Sequence, residues 1–208
     1  MNEAKALSND LDADALDWGK GDGLLPAIVQ DATTLRVLML GYMDRAALAA
    51  TQAKGQVTFF SRSKGRLWTK GETSGHALQL VSIRADCDSD TLLVLAHPHG
   101  PTCHLQRASC FPEAPGSMLA DLDRLLARRE RERPAGSYST GLFASGVRRI
   151  AQKVGEEGVE TALAAVAEDD DALLGEAADL AYHLLALLRS RGLGLADLER
   201  VLEERRTA

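Results

Sequence analysis

The segment Asp86-Cys87-Asp88-Ser89-Asp90 places three carboxylates and one thiol within five residues. The remaining two of the chain's three cysteines, Cys103 and Cys110, follow downstream, with His104 beside the first. Oxygen donors suit Mg²⁺ and thiolates suit Zn²⁺, so the grouping points to two metals of different preference. Read as the end of a strand, the segment turns Asp86, Asp88 and Asp90 to one side and Cys87 and Ser89 to the other. A polar turn with a buried free cysteine is the plain alternative. An EF-hand is excluded, because Thr91 stands where that loop needs glycine and His97 where it needs a bidentate glutamate. Cys103 and Cys110 are seven residues apart, which is not the spacing of a zinc ribbon. Three thiolates without an obvious fourth ligand match a catalytic zinc site with one open position, where the pKa of bound water falls to about 7. His104 is placed to carry a proton near neutral pH and ranks above the nearby His97 and His99.

Upstream lies a basic stretch, Ser61 to His76 (SRSKGRLWTKGETSGH). Its cations, hydroxyls and glycine-flanked N–H groups suit phosphate oxygens. Arg62, Ser63, Lys64, Arg66, Trp68, Lys70, Glu72 and Ser74 are the candidate substrate and phosphate contacts. A solvated hairpin is the alternative. The second half of the chain has its own carboxylates. On a helix over residues 147–166, Lys153, Glu156, Glu157 and Glu160 share an arc of roughly 100°. Val147, Ile150, Ala151, Val154, Thr161 and Ala165 fill the neighbouring arc. Glutamates crowded on one face repel one another, and a solvated charged face is the common outcome. The next helix is apolar almost all round from Leu173 to Leu188, so its Glu176 and Asp179 need partners or a metal. A cation shared by the two sets relieves both helices. His183, one turn past Asp179, reads as a satisfied core histidine.

The elements that must position these residues divide the chain in two. Up to about residue 111, short Val-, Ile-, Leu- and Thr-rich runs predict strands at Leu24–Gln30, Arg36–Tyr42, Val57–Ser61, His76–Ala85 and Thr91–His97. One helix interrupts them, capped by Asp44 and ending near Ala53. Residues 112–117 (PEAPGS) read as a linker. Beyond it Leu119, Leu122, Leu125 and Leu126 fall on one helical face. A break at Arg133–Ser137 precedes helices at about Ser145–Glu168, Ala172–Ser190 and Ala196–Arg205. The expected domains are residues 1–113 and 117–208.

The 208 residues are 45% hydrophobic and carry a net charge of −6. An acidic chain is not a general nucleic-acid binder, so recognition of phosphate must be local. It has no apolar run of ~18 residues to span a membrane. The stretch from Met1 to Asp14 has no apolar core of a signal peptide. An odd number of cysteines favours free thiols or metal ligands in the cytoplasm over disulfides.

Several ordered motifs carry a resemblance. Leu16-Asp17-Trp18, VLMLGYMD (residues 37–44), FFSRSKGRLWTKGETSGH, ADCDSD and PTCHLQRASCF are similar to phosphoribosyl-AMP cyclohydrolase over about residues 16–111. That resemblance implies zinc on Cys87, Cys103 and Cys110, with Cys87 supplied across a homodimer interface, and Mg²⁺ on Asp86, Asp88 and Asp90. It implies zinc-bound hydroxide adding at C6 of the adenine ring, opening of the N1–C6 bond, and His104 moving the proton. One departure stands beside the ligands: Leu105-Gln106 replace the family's usual Thr-Gly. EExxE followed by ExxD on adjacent helices resembles the all-α, MazG-like nucleotide pyrophosphohydrolases. The flanking SYSTGLFASGVRRIAQKVGEEGVE and GEAADLAYHLLALL are closer to phosphoribosyl-ATP pyrophosphatase over about residues 117–205. That resemblance implies Mg²⁺ on Glu156, Glu157, Glu160, Glu176 and Asp179, with Lys153 toward phosphate. Gly158 stands where that family often has alanine, at a cost of ~1 kcal/mol in helix propensity.

The fold class is therefore multidomain, a β-rich α+β cyclohydrolase domain followed by an all-α MazG-like domain. The resemblance implies a bifunctional hydrolase of histidine biosynthesis, a homodimer using Zn²⁺ and Mg²⁺ on small nucleotide substrates. The alternatives are a monofunctional cyclohydrolase with a helical dimerisation domain, a general nucleotide pyrophosphohydrolase in the second half, and a structural zinc module.

Overall fold

The computed structural model describes residues 11–206. Residues 1–10, which hold most of the stretch read as lacking a leader, and residues 207–208 lie outside it. The chain forms two compact units that divide between Ser117 and Met118.

The first unit is built on a four-stranded sheet of order β2-β1-β6-β5, with a separate two-stranded ribbon β3-β4. The strands are β1 (Leu25–Asp31), β2 (Val37–Met43), β3 (Thr58–Ser61), β4 (Arg66–Thr69), β5 (Leu78–Ala85) and β6 (Leu92–Pro98). Only the β1–β6 pair is parallel. Alternation explains the buried face. Leu25, Ala27 and Val29 of β1 point into a core shared with Leu38, Met43, Phe59, Leu78, Ile83, Leu92 and Val94. Helix α1 (Arg45–Lys54) starts at Asp44, whose side chain accepts the Ala47 N–H. It ends at Gly55 in the left-handed conformation, and Lys54 complements its last turn. Buried Thr51 ties α1 to the ribbon by donating to Ala47 O and accepting the Thr58 N–H. Gly41 has a packing reason. A Cβ there would lie 2.3 Å from the Phe59 ring, so the glycine lets the ribbon approach β2. Residues 112–117 are held to this unit, with Arg36 Nε donating to Ala114 O and Ser117 N–H to Thr34 O.

The second unit is all helical: α2 (Met118–Glu132), α3 (Tyr138–Ala144), α4 (Val147–Ala167), α5 (Asp170–Ser190) and α6 (Leu195–Arg206). Its core gathers Ala120, Leu126, Leu142, Phe143, Ile150, Leu185, Ala186 and Leu195. Helix α5 is not buried all round, contrary to its apolar reading. Glu176 is half-buried, Asp179 is exposed, and Leu174 is 65% exposed. Packing against α4 and α2 leaves the rest of its apolar girth open.

Two elements depart from the sequence reading. The ribbon partner β4 lies inside the basic stretch, paired with β3 in the register Thr58↔Thr69 to Ser61↔Arg66. Helix α3 fills residues 138–144, which periodicity leaves unassigned. It is one short element, and Gly146 at φ 81° turns the chain directly into α4.

One buried ion pair joins three helices of this unit. Asp123 on α2 accepts both Arg189 Nε, at 2.6 Å, and Arg189 Nη2 from α5. It also accepts the Leu195 N–H at the start of α6, at 3.2 Å. Asp123→Ala should cost about 3–5 kcal/mol, because it leaves a half-buried guanidinium and a buried N–H unpaired. Urea unfolding followed by helical circular dichroism measures it. A loss below ~1 kcal/mol would mean the pair is not holding the bundle.

Candidate functional site

In the first unit the site is a cavity of about 390 Å³. Met39 of β2, Trp68 of β4, the loop after β4 (Lys70, Gly71, Thr73, Ser74, His76) and the segment after β6 (Thr102, Cys103, His104, Gln106, Cys110) line it. The loop's turn requires glycine: Gly71 sits at φ 91°, and a Cβ would meet Ala77 N at 2.6 Å. Lys70 is buried at the cavity wall and donates to His76 O at 3.2 Å. Burial pushes its ammonium below the ordinary lysine range, and the charge of nearby Cys110 and Cys103 opposes that shift.

Cys103 and Cys110 meet in this cavity. Desolvation pushes the Cys110 thiol up, and the adjacent Cys103 sulfur adds to the shift. A cation that takes both sulfurs as thiolates relieves the crowding at Cys110, so the pair fits a soft divalent metal. His104 is exposed on the same wall, with Nδ1 3.9 Å from Cys103 Sγ. Cys87 does not join them within one chain. It is an exposed residue of the Asp86–Asp90 segment and no part of this cavity wall.

The segment Asp86–Asp90 is a turn, which corrects its reading as a strand end. Strand β5 stops at Ala85, and Ser89 adopts φ 60°. Asp86 Oδ1 accepts the N–H groups of Asp90 and Thr91, each at 3.1 Å, which wraps the backbone around its side chain. The turn, not strand alternation, brings oxygens of Asp86, Asp88 and Asp90 within 4.8 Å of one another. The sequence reading missed Lys20. Its ammonium stands 2.6 Å from Asp88 and 3.1 Å from Asp90. It holds the Asp88 carboxyl below the usual range. A cation therefore already sits against this oxygen cluster, which fits a hard divalent ion.

The basic stretch is a hairpin whose residues divide between the cavity and the surface. Trp68, Lys70 and Ser74 line the main cavity, and Trp68 stacks on Phe59 at 5.6 Å. Lys64, Arg66, Trp68 and Glu72 line a smaller adjoining one of about 130 Å³. Arg66 and Glu72 pair there at 2.7 Å. Arg62 lies 3.7 Å over the Tyr42 ring, and neither it nor the exposed Ser63 lines these cavities. Thr73, a hydroxyl of the same stretch that was not among the named contacts, lines both.

In the second unit Glu157, Glu176 and Asp179 converge, with oxygens within 4.8 Å of one another. Glu157 is only 4% exposed, so this face of α4 is not simply solvated. Lys153 Nζ stands 2.7 Å from Glu157 and 3.1 Å from Glu156. It holds both carboxyls down. Glu160 borders the cluster. Desolvation, then the charges of Glu157 and Glu176, push its carboxyl up, and the charge of Lys153 opposes the shift. Glu156 turns away, taken by Lys153, Arg149 and Gln152. A cleft of about 470 Å³ lies against Glu157, Asp179 and Lys153, with Arg129, Tyr138, Tyr182 and His183 on its walls. Tyr138, Tyr182 and Arg129 carried no sequence signal, since lone aromatic and basic residues on helices are common. The all-oxygen cluster fits Mg²⁺.

Comparison with known proteins agrees with this division. The family model of phosphoribosyl-AMP cyclohydrolase matches residues 39–112, and that of phosphoribosyl-ATP pyrophosphohydrolase matches residues 119–206. A protein of Xanthomonas axonopodis pv. citri named histidine biosynthesis bifunctional protein HisIE is 72% identical over 190 residues, covering 91% of this chain and 92% of the relative. Proteins of the same name from Yersinia pestis and Salmonella typhimurium are 57% and 60% identical, over 91% and 88% of this chain and 94% and 91% of their own lengths.

Removing the competing ammonium should favour a divalent ion at Asp86, Asp88 and Asp90. Lys20→Met is expected to tighten Mn²⁺ binding at that cluster by up to about five-fold, as for an exposed ion pair. Electron paramagnetic resonance titration of free Mn²⁺ measures it. Weaker binding in the variant would show Lys20 supporting the cluster instead of competing for it.

Proposed function

The chain belongs to the bifunctional HisIE family of histidine biosynthesis, and from that membership we propose how its two units divide the work. The enzyme is a bifunctional hydrolase with a cyclohydrolase and a pyrophosphohydrolase domain. The second unit, read as a MazG-like helical domain, converts phosphoribosyl-ATP to phosphoribosyl-AMP and pyrophosphate. The first unit then opens the adenine ring of phosphoribosyl-AMP at N1–C6. The observation that carries this reading is the placement of a distinct cation-ready donor set in each unit, thiols with carboxylates in one and carboxylates alone in the other.

In the second unit Glu157, Glu176 and Asp179, with Glu160 beside them, would hold Mg²⁺, and Glu156, turned to Lys153 and Arg149, would join them only on release from those partners. When bound, Mg²⁺ neutralises phosphate charge and orients the triphosphate for attack. Lys153 and Arg149 stand at the same face and would take phosphate oxygens as Lys153 gives up its carboxylates. In the first unit Cys103 and Cys110 would hold zinc together with the Cys87 of a second copy, and Asp86, Asp88 and Asp90 would hold Mg²⁺. Zinc, when bound, supplies the Lewis acidity that makes water nucleophilic near neutral pH. His104 would move the proton at the adenine N1–C6 bond. Trp68 offers the base an aromatic wall, and Lys70 and Ser74 give the cavity polar contacts. Leu105 and Gln106 leave both sulfurs in place. Gln106, at φ 59°, lines the cavity.

The apolar surfaces left open in both units support a homodimer. Leu40 of β2 and Leu93 of β6, each opposite Ile28 of β1, expose 44% and 40% on one sheet face. Val159, Leu163 and Val166 form a stripe on α4, exposed by 60%, 60% and 88%. Free thiols as ligands suit the reducing cytoplasm. Among the described residues no helix is long and apolar enough to cross a membrane. The pyrophosphohydrolase match over residues 119–206 speaks against a helical half that serves dimerisation alone.

A time course with phosphoribosyl-ATP, Mg²⁺ and Zn²⁺ tests the division. Pyrophosphate should appear first and the ring-opened product after it. Ring opening of added phosphoribosyl-AMP without any pyrophosphate release would remove the role given to the second unit. His104→Ala should keep its zinc by elemental analysis yet lose roughly 10²–10⁴-fold in ring opening. Full turnover in that variant would take His104 out of the mechanism.

A further inference from the structure

His183 is a buried polar side chain of the second unit that has no part in the reaction as described. Its ring is only 4% exposed. Nδ1 lies 2.9 Å from the Asp179 carbonyl, which can only accept, so Nδ1 carries the hydrogen. Nε2 of the neutral ring is then an acceptor, and the Tyr138 hydroxyl 3.0 Å away is its donor. The two partners thereby select one tautomer. Tyr138 and Tyr182 meet the ring edge-on, with centroids at 6.2 and 5.3 Å and planes at 82°. Tyr182 in turn bonds Ser139 at 2.6 Å, and Arg129 reaches Ser139 at 3.1 Å. The same Nδ1 faces Glu157 Oε1 at 3.6 Å. One imidazole therefore links α3, α4 and α5 at the point where Glu157 and Asp179 converge.

We propose that His183 is a positioning residue for the carboxylate cluster of the second unit, with Tyr138 fixing the tautomer whose Nδ1–H is held on the Asp179 carbonyl and faces Glu157 Oε1. The inference rests on the reading of Glu157, Glu176 and Asp179 as cation ligands. Lys153 holds Glu157 Oε1 at 2.7 Å and competes with a metal for it. A neutral N–H donor does not. When a divalent ion enters, the imidazole stays against the Glu157 oxygen that the lysine releases. Removing such a supporting partner typically weakens metal affinity by roughly 10–100-fold.

The test is Mn²⁺ binding by electron paramagnetic resonance on the full chain, in a background of Asp88→Asn and Asp90→Asn that disables the other oxygen cluster. His183→Leu should weaken Mn²⁺ binding by roughly 10–100-fold with helical circular dichroism unchanged. His183→Asn, whose amide nitrogen stands near the place of Nδ1, should recover most of that loss. The Mg²⁺ concentration needed for half-maximal pyrophosphate release should rise by the same factor, with KM for the nucleotide at saturating Mg²⁺ unchanged. A packing role alone would not produce this pattern. Wild-type Mn²⁺ affinity in His183→Leu, with binding lost in Glu157→Gln, would overturn the inference and leave the metal reading intact. Wild-type affinity in Glu157→Gln as well would overturn both. Should His183→Leu fail to fold, Tyr138→Phe decides: Tyr138 is 60% exposed, and unchanged Mn²⁺ affinity there contradicts the proposal.

Discussion

Like charges held close together are the constraint on which both units depend. Each unit brings three carboxylates within 4.8 Å of one another. Such a cluster resists ionisation unless a positive charge stands among its oxygens. In both units a lysine meets that need, Lys20 against Asp88 and Asp90, and Lys153 against Glu156 and Glu157. Beside the second cluster the Glu160 carboxyl is pushed up, first by desolvation and then by the charges of Glu157 and Glu176, and Lys153 opposes that shift without cancelling it. Both lysines are flexible side chains that a divalent ion can displace. The fold around each cluster is therefore built to keep repelling groups together, and the surrounding contacts follow from that demand.

The two units meet it by different local means. In the first, Asp86 spends one oxygen on the Asp90 and Thr91 N–H groups and so folds its own segment into a tight turn. The strands β5 and β6 anchor both ends of that turn. In the second, the donors lie on two long helices, and their spacing depends on how α4 and α5 pack. The buried Asp123–Arg189 pair secures α5 to α2, and the Tyr138–His183 link secures it to α3. Regular elements fix the carboxylates of both clusters, and in the second unit a cleft lies against Glu157 and Asp179.

Much of this was legible in the residues. The change from two-residue to helical periodicity separates a sheet unit from a helical one, and the carboxylate spacing marks side chains that the structure brings together. Other features depend on tertiary context. Strand alternation would have spread Asp86, Asp88 and Asp90 along one face, yet a left-handed Ser89 bends them around a turn. Lys20 lies far upstream of Asp88, and no local pattern connects them. Helix α3 is seven residues with a glycine inside and another at its end, too short and too interrupted for periodicity to reveal. With it went Tyr138, whose role exists only because His183 arrives from a helix 45 positions later. The girth of α5 misled in the opposite sense, since apolar residues on all sides suggest burial that a single chain does not supply.

The most direct test of this account is anomalous diffraction from crystals of the full chain soaked in Mn²⁺. The account predicts anomalous peaks at Asp86–Asp88–Asp90 and at Glu157–Glu176–Asp179, with Lys20 and Lys153 moved off their carboxylates. Crystals showing no peak at either cluster, with both lysines still paired, would contradict it.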